Sequence, residues 1–216
     1  MRKTLAALLV CCASIGAAQA QAFQNGSFEI GSTDPGAFIH LPVGSTTITG
    51  WTVVGPGDVD YIGSFWTAAD GARSVDLSGN SGGGVEQAFS TVAGTTYDVS
   101  FSLSGNPECA QGVKTVNVTA TPPGTTASYT HDTTGTSLPT IPWAAQQFSF
   151  TASGAATTLS FVTNDASACG PALDNVVVTP RAGAAVAAVP TLSEWTLGLL
   201  VLAMGGLALR RHRRQH

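Results

Sequence analysis

Val99-Ser100-Phe101-Ser102-Leu103-Ser104 alternates apolar and small polar residues without a break. Side chains of a strand point to opposite faces at successive positions, so this run predicts a strand with one buried and one wet face. Phe148 and Phe150 alternate with Gln147 and Ser149 in the same way. Working outward, Gly, Ser and Thr punctuate many short apolar stretches, and no long helical period appears. The predicted strands are Gly26–Ile30, Ile48–Val54, Val59–Ile62, Arg73–Leu77, Val85–Thr91 and Thr96–Leu103, then Thr115–Thr121, Ala127–His131, Gln146–Ala152, Thr157–Val162 and Ala172–Thr179. Strands of this number and spacing predict an all-β chain, a jelly-roll β-sandwich. Leu-Ser-Gly-Asn occurs at Leu77–Asn80 and again at Leu103–Asn106, which reads as two similar strand ends.

The 216 residues divide by composition. Arg2 and Lys3 precede an apolar stretch from Leu5 to Ala18, and Ala18-Gln19-Ala20 is an A-x-A cleavage site. Residues 1–20 therefore read as a signal peptide removed by signal peptidase. The sandwich is expected over 21–180, a linker over 181–188 and a sorting signal over 189–216. The whole-chain charge of −4 hides the charge of the sandwich region. Between Gln21 and Pro180 two basic side chains, Arg73 and Lys114, face twelve acidic ones, a net −10. Such a surface repels nucleic acid and anionic membranes. About 160 residues suffice for one domain with its own core. Cys109 and Cys169 are an even pair in a chain read as exported, so a disulfide is expected, worth about 4 kcal/mol on the chain-entropy model.

The tail reads Val189-Pro190-Thr191-Leu192-Ser193-Glu194-Trp195, then an uncharged run to Leu209, then Arg210, Arg211, Arg213 and Arg214. As a helix, Trp195 to Leu209 would span roughly 22 Å, short of a ~30 Å hydrocarbon core. Snorkelling arginines extend such a span, and their charge keeps that end cytoplasmic. These three parts resemble the IPTL-CTERM sorting signal of Gram-negative bacteria, with Val189 in place of the leading Ile. The resemblance implies transient anchoring in the inner membrane, an exosortase-type membrane protease as partner, and delivery to the cell surface or outside.

A second set of motifs runs through the sandwich region. It comprises Asn25-Gly26-Ser27-Phe28-Glu29, Gly50-Trp51-Thr52-Val53, Val59-Asp60-Tyr61-Ile62, Asp70 to Leu77, Gln87-Ala88-Phe89, Gly94-Thr95-Thr96-Tyr97, Leu103-Ser104-Gly105-Asn106 and Gly170 to Val176. In order and spacing the set resembles the choice-of-anchor C family of bacterial surface proteins, similar to plant cell-wall proteins built on galactose-binding-like jelly rolls. The resemblance implies a non-catalytic extracellular module associated with polysaccharide. In calcium-containing carbohydrate-binding jelly rolls, an acidic residue of the first strand and one of the last hold a structural calcium. Carried over, these are Glu29 and Asp174, with backbone carbonyls completing the oxygen shell; Asp174 and Asn175 shaping a turn is the other reading.

Sugar faces stack on Trp and Tyr. Trp51 beside Val53 reads as core, and Trp143 as a plug at the sandwich end. Tyr61 is a candidate, and Trp66, in the loop Gly63–Asp70, is expected as the exposed platform. Arg73 is a candidate for ligand contact and for an ion pair with an Asp at a sheet rim. Gly79-Asn80-Ser81-Gly82-Gly83 matches G-x-S-x-G, but that motif needs a strand–elbow–helix, and a strand-like stretch follows here. Paired acidic residues such as Asp58/Asp60 leave a glycosidase as a minor alternative. A structural or adhesive surface protein with protein partners is the other alternative to a polysaccharide-binding module.

Overall fold

The computed structural model describes residues 21–181. The expected leader at 1–20 and the expected sorting signal with its helix lie outside the described residues. Eleven strands are present: β1 (Phe38–Leu41), β2 (Thr52–Val54), β3 (Val59–Ile62), β4 (Ser74–Asp76), β5 (Gly84–Ser90), β6 (Thr96–Gly105), β7 (Val113–Thr121), β8 (Thr125–Asp132), β9 (Ala144–Thr151), β10 (Ala156–Val162) and β11 (Pro171–Pro180). They form two antiparallel sheets, β1-β3-β4-β11-β6-β9 and β2-β5-β10-β7-β8. This is an all-β, jelly-roll-like sandwich.

Alternation builds the core. Val99, Phe101 and Leu103 of β6 are 1, 2 and 0% exposed, and Ser100 between them faces solvent. Phe148 and Phe150 of β9 enter the same core, with Phe89, Trp51 and Phe161 from the facing sheet and its connections. Aromatic rings meet edge to face there, as in Phe101 against Phe161 at 5.2 Å and Phe23 against Trp51 at 5.7 Å, the arrangement their quadrupoles favour.

The stretch Gly26–Ile30 is not a strand. Asn25 and Phe28 adopt φ of 51° and 61°, and the Phe28 N–H donates to the Asn25 carbonyl. The Asn25 side chain ties this turn down, donating to the Ile30 and Thr49 carbonyls and accepting from the Ile30 N–H. Local side-chain bonding of this kind competes with strand pairing. The turn still lies beside the last strand, because the Val176 N–H donates to the Gly26 carbonyl at 2.8 Å. A Cβ on Gly26 would stand 1.7 Å from the Val176 carbonyl oxygen, so only glycine allows that approach.

Odd and even positions of β3 and β11 divide between two cores. Tyr61 and Leu173 face the main core, whereas Ile62 and Ala172 join Trp66 and Ile141 in a second cluster on the outer face of the six-stranded sheet. The loops carrying Phe65 and Trp66 and, much later, Leu138 and Ile141 supply its cover. Cys109 and Cys169 form the expected disulfide, with Cα atoms 5.7 Å apart. Lys114, 4% exposed, lies beside it and donates to the Cys169 carbonyl at 2.6 Å.

Candidate functional site

Between β3 and β4 the chain makes a loop whose main-chain amides are gripped from two sides. Glu29 Oε1 accepts the N–H groups of Ala72 and Arg73, each at 2.8 Å. Asp174 Oδ2 accepts those of Ala69 and Asp70 at 2.7 and 2.9 Å. Gly71 sits between these pairs with φ +65°, and a Cβ there would lie 2.4 Å from Glu29 Oε1. A left-handed, sterically closed position of this kind suits glycine alone. Asp174 is fully buried, with no cationic side chain against it. Burial raises its carboxyl to about 6, while the amides of Asp70, Asn175 and Ala69 pull the other way.

The gripped loop walls a cleft of about 430 Å³ lined by Asp34, Ser64, Trp66, Thr67, Ala72 and Arg73 among others. Arg73 Nη1 donates to Asp34 Oδ1 at 2.9 Å, and its guanidinium carbon lies 5.9 Å from the Tyr61 ring centroid. The sheet-rim ion pair with an Asp is therefore present, and its partner is Asp34. The Gly36 N–H and the Arg73 guanidinium hold the Asp34 carboxyl below its ordinary value. Asp34 was not singled out by sequence reading. Its signal was Asp34-Pro35-Gly36, a turn in which the aspartate accepts from the N–H two residues on.

Trp66 is not an exposed platform: it is 3% exposed, and its indole N–H donates to Ser74 Oγ at 2.8 Å. The second apolar cluster takes up its ring, so only its edge reaches the cleft. Tyr61 is 1% exposed and donates its hydroxyl to the Phe28 carbonyl at 2.6 Å, so its ring is core as well. Trp143 donates its indole N–H to the Thr67 carbonyl at 3.0 Å and pins the far side of the loop. Glu29 follows the Asn25–Phe28 turn rather than lying on a first strand. Among the described residues, no three His, Cys, Asp or Glu side chains gather as a metal-binding group. Two carboxylates with an all-oxygen donor set nevertheless suit a hard cation in kind, and their amide donors already offset part of the charge.

A second set of acidic groups lies on the same outer face of the sheet. Asp60 and Asp76 stand directly opposite each other on β3 and β4, and His40 on β1 stands opposite Asp60. His40 Nδ1 lies 2.5 Å from Asp60 Oδ1. Burial raises Asp60 to about 6 against the opposing His40 charge. Asp76 is fully buried and is raised by that burial to about 7, although Asn106, Ser78 and Gly170 all donate to it. The serine of Gly79-Asn80-Ser81-Gly82-Gly83 forms no nucleophile elbow. Its turn wraps Asp58, whose Oδ1 accepts the Asn80 N–H at 2.7 Å, and β5 follows at Gly84.

This gripped loop and its cleft sit on an all-β sandwich of two antiparallel sheets. The chain belongs to the family described as Protein of unknown function (DUF642), whose model matches residues 21–179. The IPTL-CTERM motif matches residues 187–214. Halomucin of Haloquadratum walsbyi is 34% identical over 192 residues, covering 83% of this chain and 2% of that protein. The chain thus spans a small fraction of the length of that curated relative. Among solved structures it is similar to the family 22 xylan-binding domain from Paenibacillus barcinonensis (18% identity, TM-score 0.44, 68% of this chain and 95% of that one). A family 35 carbohydrate-binding module from Clostridium thermocellum is similar too (12% identity, TM-score 0.43, 66% and 99%). At such values the fold is read from the strands themselves.

Proposed function

We propose that this protein is an exported, non-catalytic surface module that binds extracellular or cell-wall polysaccharide in the cleft beside Asp34 and Arg73. The observation that carries the reading is the cleft itself, a concave site walled by a loop that two carboxylates hold in place. Sugar hydroxyls both donate and accept. The Asp34 carboxylate, the Arg73 guanidinium and the Ser64 and Thr67 hydroxyls offer both complements within one cleft. Preformed clefts of this size with a few polar groups suit small ligand segments. The IPTL-CTERM match and the leader read from residues 1–20 support delivery across the inner membrane to the cell surface. The acidic balance of the sandwich region argues for uncharged rather than anionic glycans. A calcium ion held by Glu29 and Asp174, tying the first turn to the last strand, belongs to this proposal, as does placement within the choice-of-anchor C group.

A glycan array probed with the exported chain tests the reading. Retention of one or more polysaccharides is expected, with loss on Arg73→Ala and on Asp34→Ala. Equal retention by both variants would move the site elsewhere. Release of sugar products from a retained glycan would replace the non-catalytic reading with a hydrolase.

A further inference from the structure

Beyond the cleft, the outer face of the six-stranded sheet carries a trough of about 530 Å³ over β11, β6 and β9. It shares no lining residue with the cleft. Register places its side chains in two rows across the strands. Thr179, Asp98 and Ser149 are direct partners, and so are Val177, Ser100 and Gln147. Positions two apart on a strand share a face, so both rows point outward together. Each row crosses three strands, about 10 Å, the reach of a short oligosaccharide.

The polar side chains beside the cleft are bonded to a loop or a neighbour, as Asp76, Asn106 and Ser74 are. Among the described residues, the side chains of Ser100, Gln147, Ser149 and Thr179 have no hydrogen-bond partner. Donors and acceptors are thus gathered in one concavity and left to water. The charged groups of the trough cancel: Arg181 Nε donates to Asp98 Oδ2 at 3.0 Å, and its Nη2 to Asp98 Oδ1. Val177, 44% exposed, ends the second row as the β11 partner of Ser100 and is not among the residues lining the trough.

We propose that this trough is a second binding site, for a neutral polyhydroxylated chain lying across β11, β6 and β9. Hydroxyl and amide side chains free on both rows match the alternating hydroxyls of an uncharged glycan. A polyuronate finds no uncompensated cation there, because Arg181 is already engaged. An extended peptide would add along a free strand edge, whereas the trough lies on the sheet face over β11, β6 and the edge strand β9, and β6 and β11 already pair on both sides.

The test uses the exported full chain carrying Arg73→Ala, so that cleft binding is removed first and failure at either site is read separately. Titration calorimetry with hexasaccharides of β-1,4-linked glucose, xylose and galactose should show binding to at least one probe. Adding Gln147→Ala and Ser149→Ala should weaken it about tenfold, the loss expected for two hydrogen-bonding groups, with an unchanged melting temperature. A polygalacturonate hexamer should bind at least tenfold more weakly than the best neutral probe. Unchanged binding in the combined variant, no binding of any neutral probe, or preference for polygalacturonate would each overturn the assignment.

Discussion

Glu29 and Asp174 hold the same loop by its main chain, one from the first turn and one from the last strand, with Gly71 between their four amide contacts. The two acidic groups therefore act as acceptors for N–H groups that would otherwise be unpaired. Removing the buried acceptor should cost more than removing the exposed one. Asp174→Ala leaves the Ala69 and Asp70 amides without a partner, a loss of about 1–3 kcal/mol. Urea unfolding should show that loss, and amide exchange at Ala69 and Asp70 should quicken. Glu29→Gln keeps an acceptor oxygen and should change stability little. Equal exchange at Ala69 and Asp70 in wild type and Asp174→Ala would show that the loop is held by other contacts.

Trp66 and Trp51 should respond alike to truncation. Both rings are buried, at 3 and 2% exposure, and both indole N–H groups are bonded, to Ser74 Oγ and to the Asn25 carbonyl. Each Trp→Ala variant should lose about 3–5 kcal/mol in chemical denaturation. Trp66→Phe should lose less, since it keeps most of the apolar area and gives up the bond to Ser74. A Trp66→Ala protein as stable as wild type would mean that its ring lies in solvent.

The sandwich was legible because alternation alone decides which side of a strand is dry, as in Val99, Phe101 and Leu103. The disulfide was legible because the sandwich region holds two cysteines, and an ion pair of Arg73 because it is one of two cations among twelve acidic side chains, although which aspartate it meets was not. Burial of Trp66 was not. Its cover includes Ile141 and Leu138, from a loop some seventy residues later, and nothing local to Gly63–Asp70 announces it. The strand expected at Gly26–Ile30 failed for a local reason: the Asn25 side chain satisfies the backbone that a strand would have paired. Asp60 and Asp76 fall within expected strands, and Asp60 was paired in sequence with Asp58; only the register shows that Asp60 and Asp76 oppose each other.

Calcium should stabilise the protein if Glu29 and Asp174 hold it. The folded chain alone brings the Asn25–Phe28 turn beside β11, so binding favours the folded state by mass action. The increment is about 2.7 kcal/mol at a hundredfold excess over the dissociation constant. Thermal melts of metal-free protein with and without added calcium measure it, and Asp174→Ala should abolish it. An identical melting temperature in calcium and in chelator would leave the four amide bonds as the whole function of the pair.

Acidification should raise stability before it lowers it. Asp60, Asp76 and Asp174 all have folded carboxyls raised by burial, to about 6, 7 and 6, above the ordinary 3.8. The folded state then binds protons more tightly than the unfolded chain. Stability from these groups is fully present below pH ~4 and is lost as pH rises through 6 to 7. His131 opposes them, because burial holds its imidazole below its usual value. Asp34, Asp58, Asp98 and Asp132 are lowered, so their contribution stands above the ordinary carboxyl value and disappears as pH falls below it. Three buried carboxyls outweigh one half-buried imidazole between pH 7 and 4.5, and the lowered carboxyls take over below about pH 4. The melting temperature in chelator should therefore climb from pH 7.5 to a maximum near pH 4.5 and then fall. Asp76→Asn, which keeps the acceptor for Ser78 and Gly170 without a titrating charge, should flatten the climb. A melting temperature that falls steadily from pH 7 to 5 would mean that Asp60, Asp76 and Asp174 are ionised in the folded protein, held so by a counter-charge at the sheet face.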